Sequence, residues 1–205
     1  MKIRHLRSEH QLIAEWITEG ARVLDLGCGD GAFLAALHKE KSVTGYGVEI
    51  DPENIVKCIE SGVNVIHANL DEGLSGFEGG SFDFVVMTQT IQAMRSPHKL
   101  IKEMLRIGRE GIVTFPNMGH WKCRIEFLQG KMPVTKQLPH SWHETPNIHI
   151  CTINDFEALC RSMNITIIER AILDAHHRPL KIMEFLPNLF GEIAIYRTRQ
   201  EASCI

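Results

Sequence analysis

Short apolar runs alternate with longer amphipathic segments through most of this chain. Each apolar run is bounded by glycine, acidic or other polar residues, which predicts strands buried in a sheet. The predicted strands are Arg22–Leu26, Val43–Val48, Val63–His67, Phe82–Met87, Gly111–Phe115, Ile165–Ala171 and Gly191–Arg197. Helices are predicted at Ser8–Ile17, at Gly31–Lys39, from Asp51-Pro52 through Ile59, at His98–Ile107 and at Asn154–Met163. This alternation of strands and helices indicates an α/β fold with a doubly wound sheet.

Length and composition favour one globular domain. The chain has 205 residues, 44% of them hydrophobic, which is enough to form a full core. No run of proline, glycine or serine divides it, so we expect a single domain over residues 1–205, with an insertion at about 115–150. The net charge of −3 and the lack of a basic stripe argue against nucleic acid as a partner.

The N-terminal sequence, the apolar runs and the cysteine spacing bear on the cellular compartment of the protein. No apolar run is long enough to cross a membrane, and Met1–His5 lacks the apolar core of a signal peptide. Six cysteines are scattered without a C-x-x-C pair, which is typical of reduced thiols in a cytoplasmic protein. They are Cys28, Cys58, Cys123, Cys151, Cys160 and Cys204.

The strongest local motif is a glycine-rich turn after the first predicted strand. Asp25 lies in that strand, two residues before the turn, and Gly27, Gly29 and Gly31 follow at alternate positions. Without Cβ atoms there, backbone N–H groups can approach a ligand closely. About twenty residues on, the second strand ends at Glu49. A glycine turn with a carboxylate at that distance is the arrangement that holds an adenosine, the carboxylate binding the ribose hydroxyls.

Charge next to the turn bears on which adenosine cofactor binds. Gly27, Gly29 and Ala32 also satisfy the dinucleotide pattern G-x-G-x-x-A, so a nicotinamide or flavin cofactor is an alternative. A diphosphate would lie at the start of the next helix, where Asp30 is the predicted N-cap, and Asp25 adds a second acid. These acids favour a cationic ligand without phosphates, namely S-adenosylmethionine. A structural turn without any ligand is the third possibility.

The turn resembles motif I, D-x-G-x-G-x-G, of the class I S-adenosylmethionine-dependent methyltransferases. That resemblance implies a Rossmann-like seven-stranded sheet whose last strand is antiparallel. It also implies that the turn after the third strand recognises the adenine ring. The predicted cofactor-binding residues are Asp25, Gly27, Cys28, Gly29, Gly31, Glu49, Ile50, Asn69, Leu70, Thr88 and Gln89.

For the residues after the third and fourth strands, a purely structural role is an alternative to cofactor binding. Asn69 follows the third strand, where the resemblance places adenine recognition, but Asn and Asp are also common turn residues. Thr88 and Gln89 follow the fourth strand at the sheet edge where ligands bind, and polar residues there can also cap a helix.

The segment after the fifth predicted strand is unusually long and rich in aromatic residues, histidine and proline. Long segments of this kind are often lids or binding loops, so we expect Phe115–His149 to be a working surface. Trp121, Arg124 and Trp142 are its candidate anchors for a partner. His120 and His143 are weak candidates for a catalytic base. We expect no metal site, because the spacing of His140, His143, His149 and Cys151 matches no common ligand pattern.

Several blocks together resemble the methionine biosynthesis protein MetW family. The blocks occupy residues 24–31, 89–92, 115–121, 132–136 and 145–149. The resemblance implies a bacterial cytoplasmic protein that acts in methionine synthesis beside a homoserine O-acyltransferase. We expect an S-adenosylmethionine-binding protein of methyltransferase-like fold that supports that acyltransferase. The alternative is a catalytic small-molecule methyltransferase.

Overall fold

A computed structural model describes residues 8–135, 137–176, 178 and 182–201, and within them seven strands form one sheet. The strands are β1 (Arg22–Leu26), β2 (Thr44–Glu49), β3 (Val65–His67), β4 (Phe82–Thr88), β5 (Gly108–Pro116), β6 (Ile165–Leu173) and β7 (Ile193–Gln200). Their order across the sheet is β3-β2-β1-β4-β5-β7-β6. The first five pair in parallel, whereas β7 is antiparallel to both β5 and β6. The predicted fold class is confirmed.

Helices cover both faces of the sheet. They are α1 (Ser8–Trp16), α2 (Ala32–Lys41), α3 (Pro52–Glu60), α4 (Pro97–Ile107), α5 (Trp121–Leu128), α6 (Ile153–Ser162), α7 (Ile182–Phe185) and α8 (Pro187–Phe190). One core cluster joins α1 and α2 to the sheet through buried side chains such as Ile13 and Leu37. The other includes Met104 of α4 and Phe156 of α6. Apolar stripes on the predicted helices therefore face the sheet from two sides.

Glycines in β2 allow the first two strands and the turn between β1 and α2 to approach closely. A Cβ at Gly45 would lie 1.7 Å from the carbonyl oxygen of Val23. A Cβ at Gly47 would lie 2.3 Å from the sulfur of Cys28, the residue inside the glycine turn. Gly47 therefore makes the room that lets the turn pack on the sheet.

Three helices were not predicted. α5 lies in the segment expected to be a loop, and α7 and α8 lie between the last two strands. The prolines and glycines of the first segment hid an eight-residue helix that ends at Leu128, before Gly130 and Pro133. The other two have four residues each, too short to show a helical period.

Two remaining observations concern membrane-spanning helices and the state of the cysteines. In the part of the chain that the structure describes, no helix is both long and apolar enough to cross a membrane. The described cysteines are all free thiols. The stretch Met1–His5 and Cys204 lie outside the described residues.

Candidate functional site

The glycine turn adopts backbone conformations that favour glycine. Gly27, Gly29 and Gly31 have φ angles of 75°, 56° and 75°. The N–H of Gly27 donates to the carbonyl oxygen of Val48 at 2.8 Å, which ties the turn to the end of β2. A Cβ on Gly29 would meet no atom within 4 Å, so this side of the turn is open. The turn therefore presents bare backbone to the space beside it.

Glu49 is held at this turn by backbone donors. Its Oε2 accepts the N–H of Gly29 at 2.8 Å, and its Oε1 accepts those of Ile50 at 2.8 Å and Asp51 at 3.0 Å. The residue is 8% exposed. An ionised carboxylate has about four acceptor positions, so capacity for a further donor remains. The distant acid of the sequence motif thus touches the glycine turn directly.

Asp25 is the electrostatically unusual residue of the site. It is 1% exposed, and its Oδ1 atom has no hydrogen-bond partner among the described residues. Burial, and secondarily the negative charge of Glu49, raises the pKa of Asp25 from 3.8 to about 7. A buried acid with an unsatisfied oxygen is a costly arrangement that a positively charged ligand would relieve.

A cavity of about 420 Å³ opens beside the turn, at the carboxyl ends of β1 and β4. This volume lies in the usual range for a small-molecule site. Six predicted cofactor residues line it, namely Asp25, Gly27, Cys28, Gly29, Thr88 and Gln89. The other five do not, namely Gly31, Glu49, Ile50, Asn69 and Leu70.

Side chains from α1, α2 and α3 complete the cavity wall. They are Glu9, His10, Phe33, Asn54 and Lys57, and none was predicted as a site residue. Glu9 is buried, and both of its carboxylate oxygens accept hydrogen bonds from Nε2 of Gln89, at 3.2 and 3.1 Å. Glu9 precedes Gln89 by eighty positions, so no local motif could have signalled this contact.

Asp30 differs from its expected role. The N-cap of α2 is Gly31, so the prediction of Asp30 at that position is wrong by one residue. The Asp30 carboxylate nevertheless accepts the N–H of Ala32 at 3.1 Å. It therefore satisfies a donor at the helix start and keeps a negative charge there, which is unfavourable for a diphosphate.

Asn69 has the turn geometry that was its structural alternative. Its Oδ1 accepts the N–H of Asp71 at 3.0 Å and caps a short 3-10 helix, Leu70–Glu72. Leu70 is buried, whereas Ile50, after β2, is 55% exposed. Their roles at an adenine ring stay predictions.

The two histidine candidates lie apart from the cavity. His120 is 5% exposed, and its Nε2 lies 3.8 Å from Oε1 of Glu192. Burial lowers the pKa of His120, with Glu192 opposing. His143 is exposed, 3.9 Å from a carboxylate oxygen of Glu144. Neither lines the cavity. Across the described residues, no group of three or more His, Cys, Asp or Glu converges as metal ligands would.

The strand order and the helices on both faces give the Rossmann-like fold that is found in S-adenosylmethionine-dependent methyltransferases. A solved S-adenosylmethionine-dependent methyltransferase from Mesorhizobium loti has a TM-score of 0.70 and 13% identity, covering 97% of this chain and 100% of that one. Phosphoethanolamine N-methyltransferase 2 of Haemonchus contortus, solved with S-adenosyl-L-methionine, also has a TM-score of 0.70 and 13% identity, covering 95% and 52%. At these identities the likeness shows the fold.

The family follows from sequence comparison. The family model described as methionine biosynthesis protein MetW matches residues 7–198, and the chain belongs to this family. The bifunctional methionine biosynthesis protein MetXA/MetW of Rhodopirellula baltica is 32% identical over an alignment that covers 96% of this chain. The chain spans 33% of that relative's length. A ubiquinone biosynthesis O-methyltransferase of Pseudomonas fluorescens is 25% identical, covering 98% of this chain and 90% of its own.

Proposed function

We propose that this chain binds S-adenosylmethionine in the cavity beside the glycine turn and supports the activity of a homoserine O-acyltransferase. The observation that carries the first part is the buried, unpartnered carboxylate oxygen of Asp25 at the cavity wall. S-adenosylmethionine has a sulfonium and an ammonium group, and either would neutralise this site. Glu49 contacts the same turn through the N–H of Gly29, outside the cavity lining, and we assign it the ribose hydroxyls as donors.

The residues fit this cofactor better than a dinucleotide. Asp25 and Asp30 put negative charge on both sides of the turn where a pyrophosphate would lie. When bound, S-adenosylmethionine supplies a methyl group already activated by the sulfonium. The chain's own contribution is to bind it, and Asp25, Glu49 and the open side of Gly29 are the groups proposed to do so.

Replacing Glu49 by Ala is expected to weaken S-adenosylmethionine binding by about 1.5–3 kcal/mol, because hydrogen bonds to a charged acceptor are lost. Titration calorimetry measures the change, and a thermal melt of each variant checks that the protein is folded. Glu53→Ala is the matched control, since Glu53 is an exposed acid on the adjoining first turn of α3. Unchanged affinity in the Glu49 variant would remove this residue from the site. Wild-type protein that binds NAD more tightly than S-adenosylmethionine would overturn the cofactor proposal.

The accessory role is supported by the family and by the relative in which a MetW-like region shares a polypeptide with MetXA. It is also supported by the position of His120 and His143, which leaves both candidate bases away from the cavity.

Mixing the purified chain with the homoserine O-acyltransferase of the same organism is expected to give a complex that elutes as one species from a sizing column. The acyl-transfer rate or the thermal stability of the acyltransferase should rise in that mixture. The control is the acyltransferase with an equal amount of an unrelated protein. Separate elution with unchanged rate and stability would contradict the accessory role.

One observation favours the second candidate, a catalytic small-molecule methyltransferase. His10 lines the cavity and packs against Phe33, with ring centroids 4.6 Å apart and ring planes tilted by 32°, so an imidazole lies at the site even though His120 and His143 do not. A methylated product formed from labelled S-adenosylmethionine and host metabolites, and lost in His10→Ala, would favour this candidate over the accessory role.

A further inference from the structure

Helix α5 carries an apolar stripe that this chain leaves uncovered. Trp121, Ile125 and Leu128 are 40%, 43% and 88% exposed. They recur at intervals of four and three residues, which places them on one face of the helix. Surface side chains of this size, grouped on one face, mark a site of interaction with another molecule.

The opposite face of α5 is anchored to the body of the protein. Cys123 is buried in a small cluster with Met118 and Leu138. The guanidinium Nε of Arg124 donates to the carbonyl oxygen of Gly119 at 2.7 Å, which braces the first turn. Since Cys123 points into the body, the stripe that begins at Trp121 points outward and is presented in a fixed orientation.

Positive charge flanks the stripe. Lys122 and Arg124 lie on the helix, which also holds Glu126, and Lys131 follows it. The ammonium of Lys122 lies 3.8 Å from a carboxylate oxygen of Glu192, so a smaller excess of positive charge remains beside the stripe. The ammonium of Lys122 also lies 5.8 Å from the ring of Trp121. A surface complementary to this one is apolar at its centre and acidic at its rim.

The stripe is at the edge of the sheet that also holds the cavity. α5 follows β5 after four residues, and β5 ends at the same edge as its parallel neighbour β4, whose last residue, Thr88, lines the cavity. A partner bound to α5 would therefore lie on the side of the protein where the ligand enters. Among the other exposed apolar residues, two groups on or beside helices are placed differently. One, on α3 and β3, contains Val56, Ile59 and Ile66, and the other, on and just after α7, contains Ile182, Phe185 and Leu186.

We propose that the face of α5 formed by Trp121, Ile125 and Leu128 docks into an apolar, acid-rimmed groove of the homoserine O-acyltransferase. This inference rests on the proposed accessory function and assigns its contact surface. We choose the acyltransferase as the partner because the Rhodopirellula relative joins MetXA and MetW in one name. This chain spans a third of that relative's length. Two modules joined in one polypeptide are held at high effective concentration, which favours direct contact between them. A helix with three regularly spaced anchors is a common way to build such a contact.

Leu128→Asp and Trp121→Ala should each weaken the complex with the acyltransferase about tenfold or more, because central apolar anchors carry most of an interface's binding energy. Binding is measured by surface-immobilised acyltransferase and by activation of acyl transfer at matched concentrations. S-adenosylmethionine affinity and the melting temperature should stay at wild-type values. Phe185→Asp and Ile59→Asp are the matched controls, since these side chains are 82% and 65% exposed on the other two apolar groups.

The outcomes separate the two proposals. If the wild-type chain binds the acyltransferase and both α5 variants bind it equally well, the docking face is wrong while the accessory function stands. If a control variant alone abolishes binding, the interface belongs to that other apolar group. If light scattering shows a wild-type dimer that Leu128→Asp dissociates, the face binds a second copy of this chain, which overturns the inference. A wild-type chain that neither binds nor activates the acyltransferase overturns both.

Discussion

Asp25→Asn is expected to stabilise the ligand-free protein at pH 8 and to weaken its binding of S-adenosylmethionine. The pKa of Asp25 is about 7 in the folded protein, and its ordinary value is 3.8. The folded state therefore holds a proton that the unfolded state releases between these pH values. Stability falls as the pH rises from about 4 to about 7, and above 7 the full cost of a buried charge is present.

The expected gain at pH 8 is on the order of 2–4 kcal/mol, because each unit of pKa shift corresponds to about 1.4 kcal/mol. At pH 4 the wild-type carboxyl is already neutral when folded, so the variant should gain little there. Chemical denaturation at both pH values measures the difference. Asp30→Asn is the control, since Asp30 is an exposed acid in the same turn. An equal effect of Asp25→Asn at both pH values would contradict the assignment.

Ligand binding should show the opposite pH dependence. A cationic ligand favours the ionised form of Asp25, so the affinity for S-adenosylmethionine should rise between pH 6 and pH 8, by at most about tenfold per unit. S-adenosylhomocysteine has no sulfonium and should show a smaller rise. Calorimetry on wild-type and Asp25→Asn protein separates this group from others that titrate. A pH profile that persists unchanged in the variant would exclude Asp25 as its source.

Asn117→Ala should be among the most destabilising single changes in the chain. Asn117 is 3% exposed, and its amide nitrogen donates to the carbonyl oxygens of Asn188 at 3.1 Å and Gly191 at 2.7 Å. Its Oδ1 accepts the N–H groups of Gly119 at 2.9 Å and Ile153 at 3.2 Å. One side chain thus joins the end of β5 to α6, α8 and the start of β7. Truncating it removes the side-chain partner of three backbone groups, while the N–H of Ile153 keeps Oδ1 of Asn188 as an acceptor at 3.2 Å.

The expected loss is about 3–5 kcal/mol of unfolding free energy, which corresponds to a fall in Tm on the order of 10 °C. Asn147→Ala is the matched control, because the Asn147 amide makes a local contact, donating to the Thr145 hydroxyl at 3.0 Å. That control should lose less than about 1 kcal/mol. Equal stability of the two variants in chemical denaturation would show that the contacts of Asn117 contribute little.

Asn117 also shows where interpretation of the sequence went too far. The block Phe115–Trp121 was read as part of a working surface because of its composition. In the structure its first residues are buried, and Asn117 and His120 face inward. The first exposed side chain of this segment is that of Trp121, the first residue of helix α5, which was not predicted. Composition alone does not tell a polar residue that satisfies buried backbone from one that binds a partner.

Local patterns determined most of the fold and part of the site. The alternation of strands and helices, the doubly wound class, the glycine turn and the acid at Glu49 follow from periodicity and short-range spacing. These features depend on neighbours within about one βαβ unit, which is why the sequence by itself determined them. The antiparallel direction of the last strand came from family resemblance, whereas its place between β5 and β6 was given by the tertiary structure, because it joins strands far apart in the chain.

Only the tertiary structure decided what surrounds the turn. Glu9 meets Gln89, and Asn54 and Lys57 of α3 reach the cavity, through packing that no local pattern encodes. The buried, unpartnered state of Asp25 has the same origin, since desolvation depends on all the elements packed around a carboxyl group. The sequence determined that acids flank a glycine turn, and three-dimensional packing decided which acid is exposed, which is paired and which has a pKa raised to about 7.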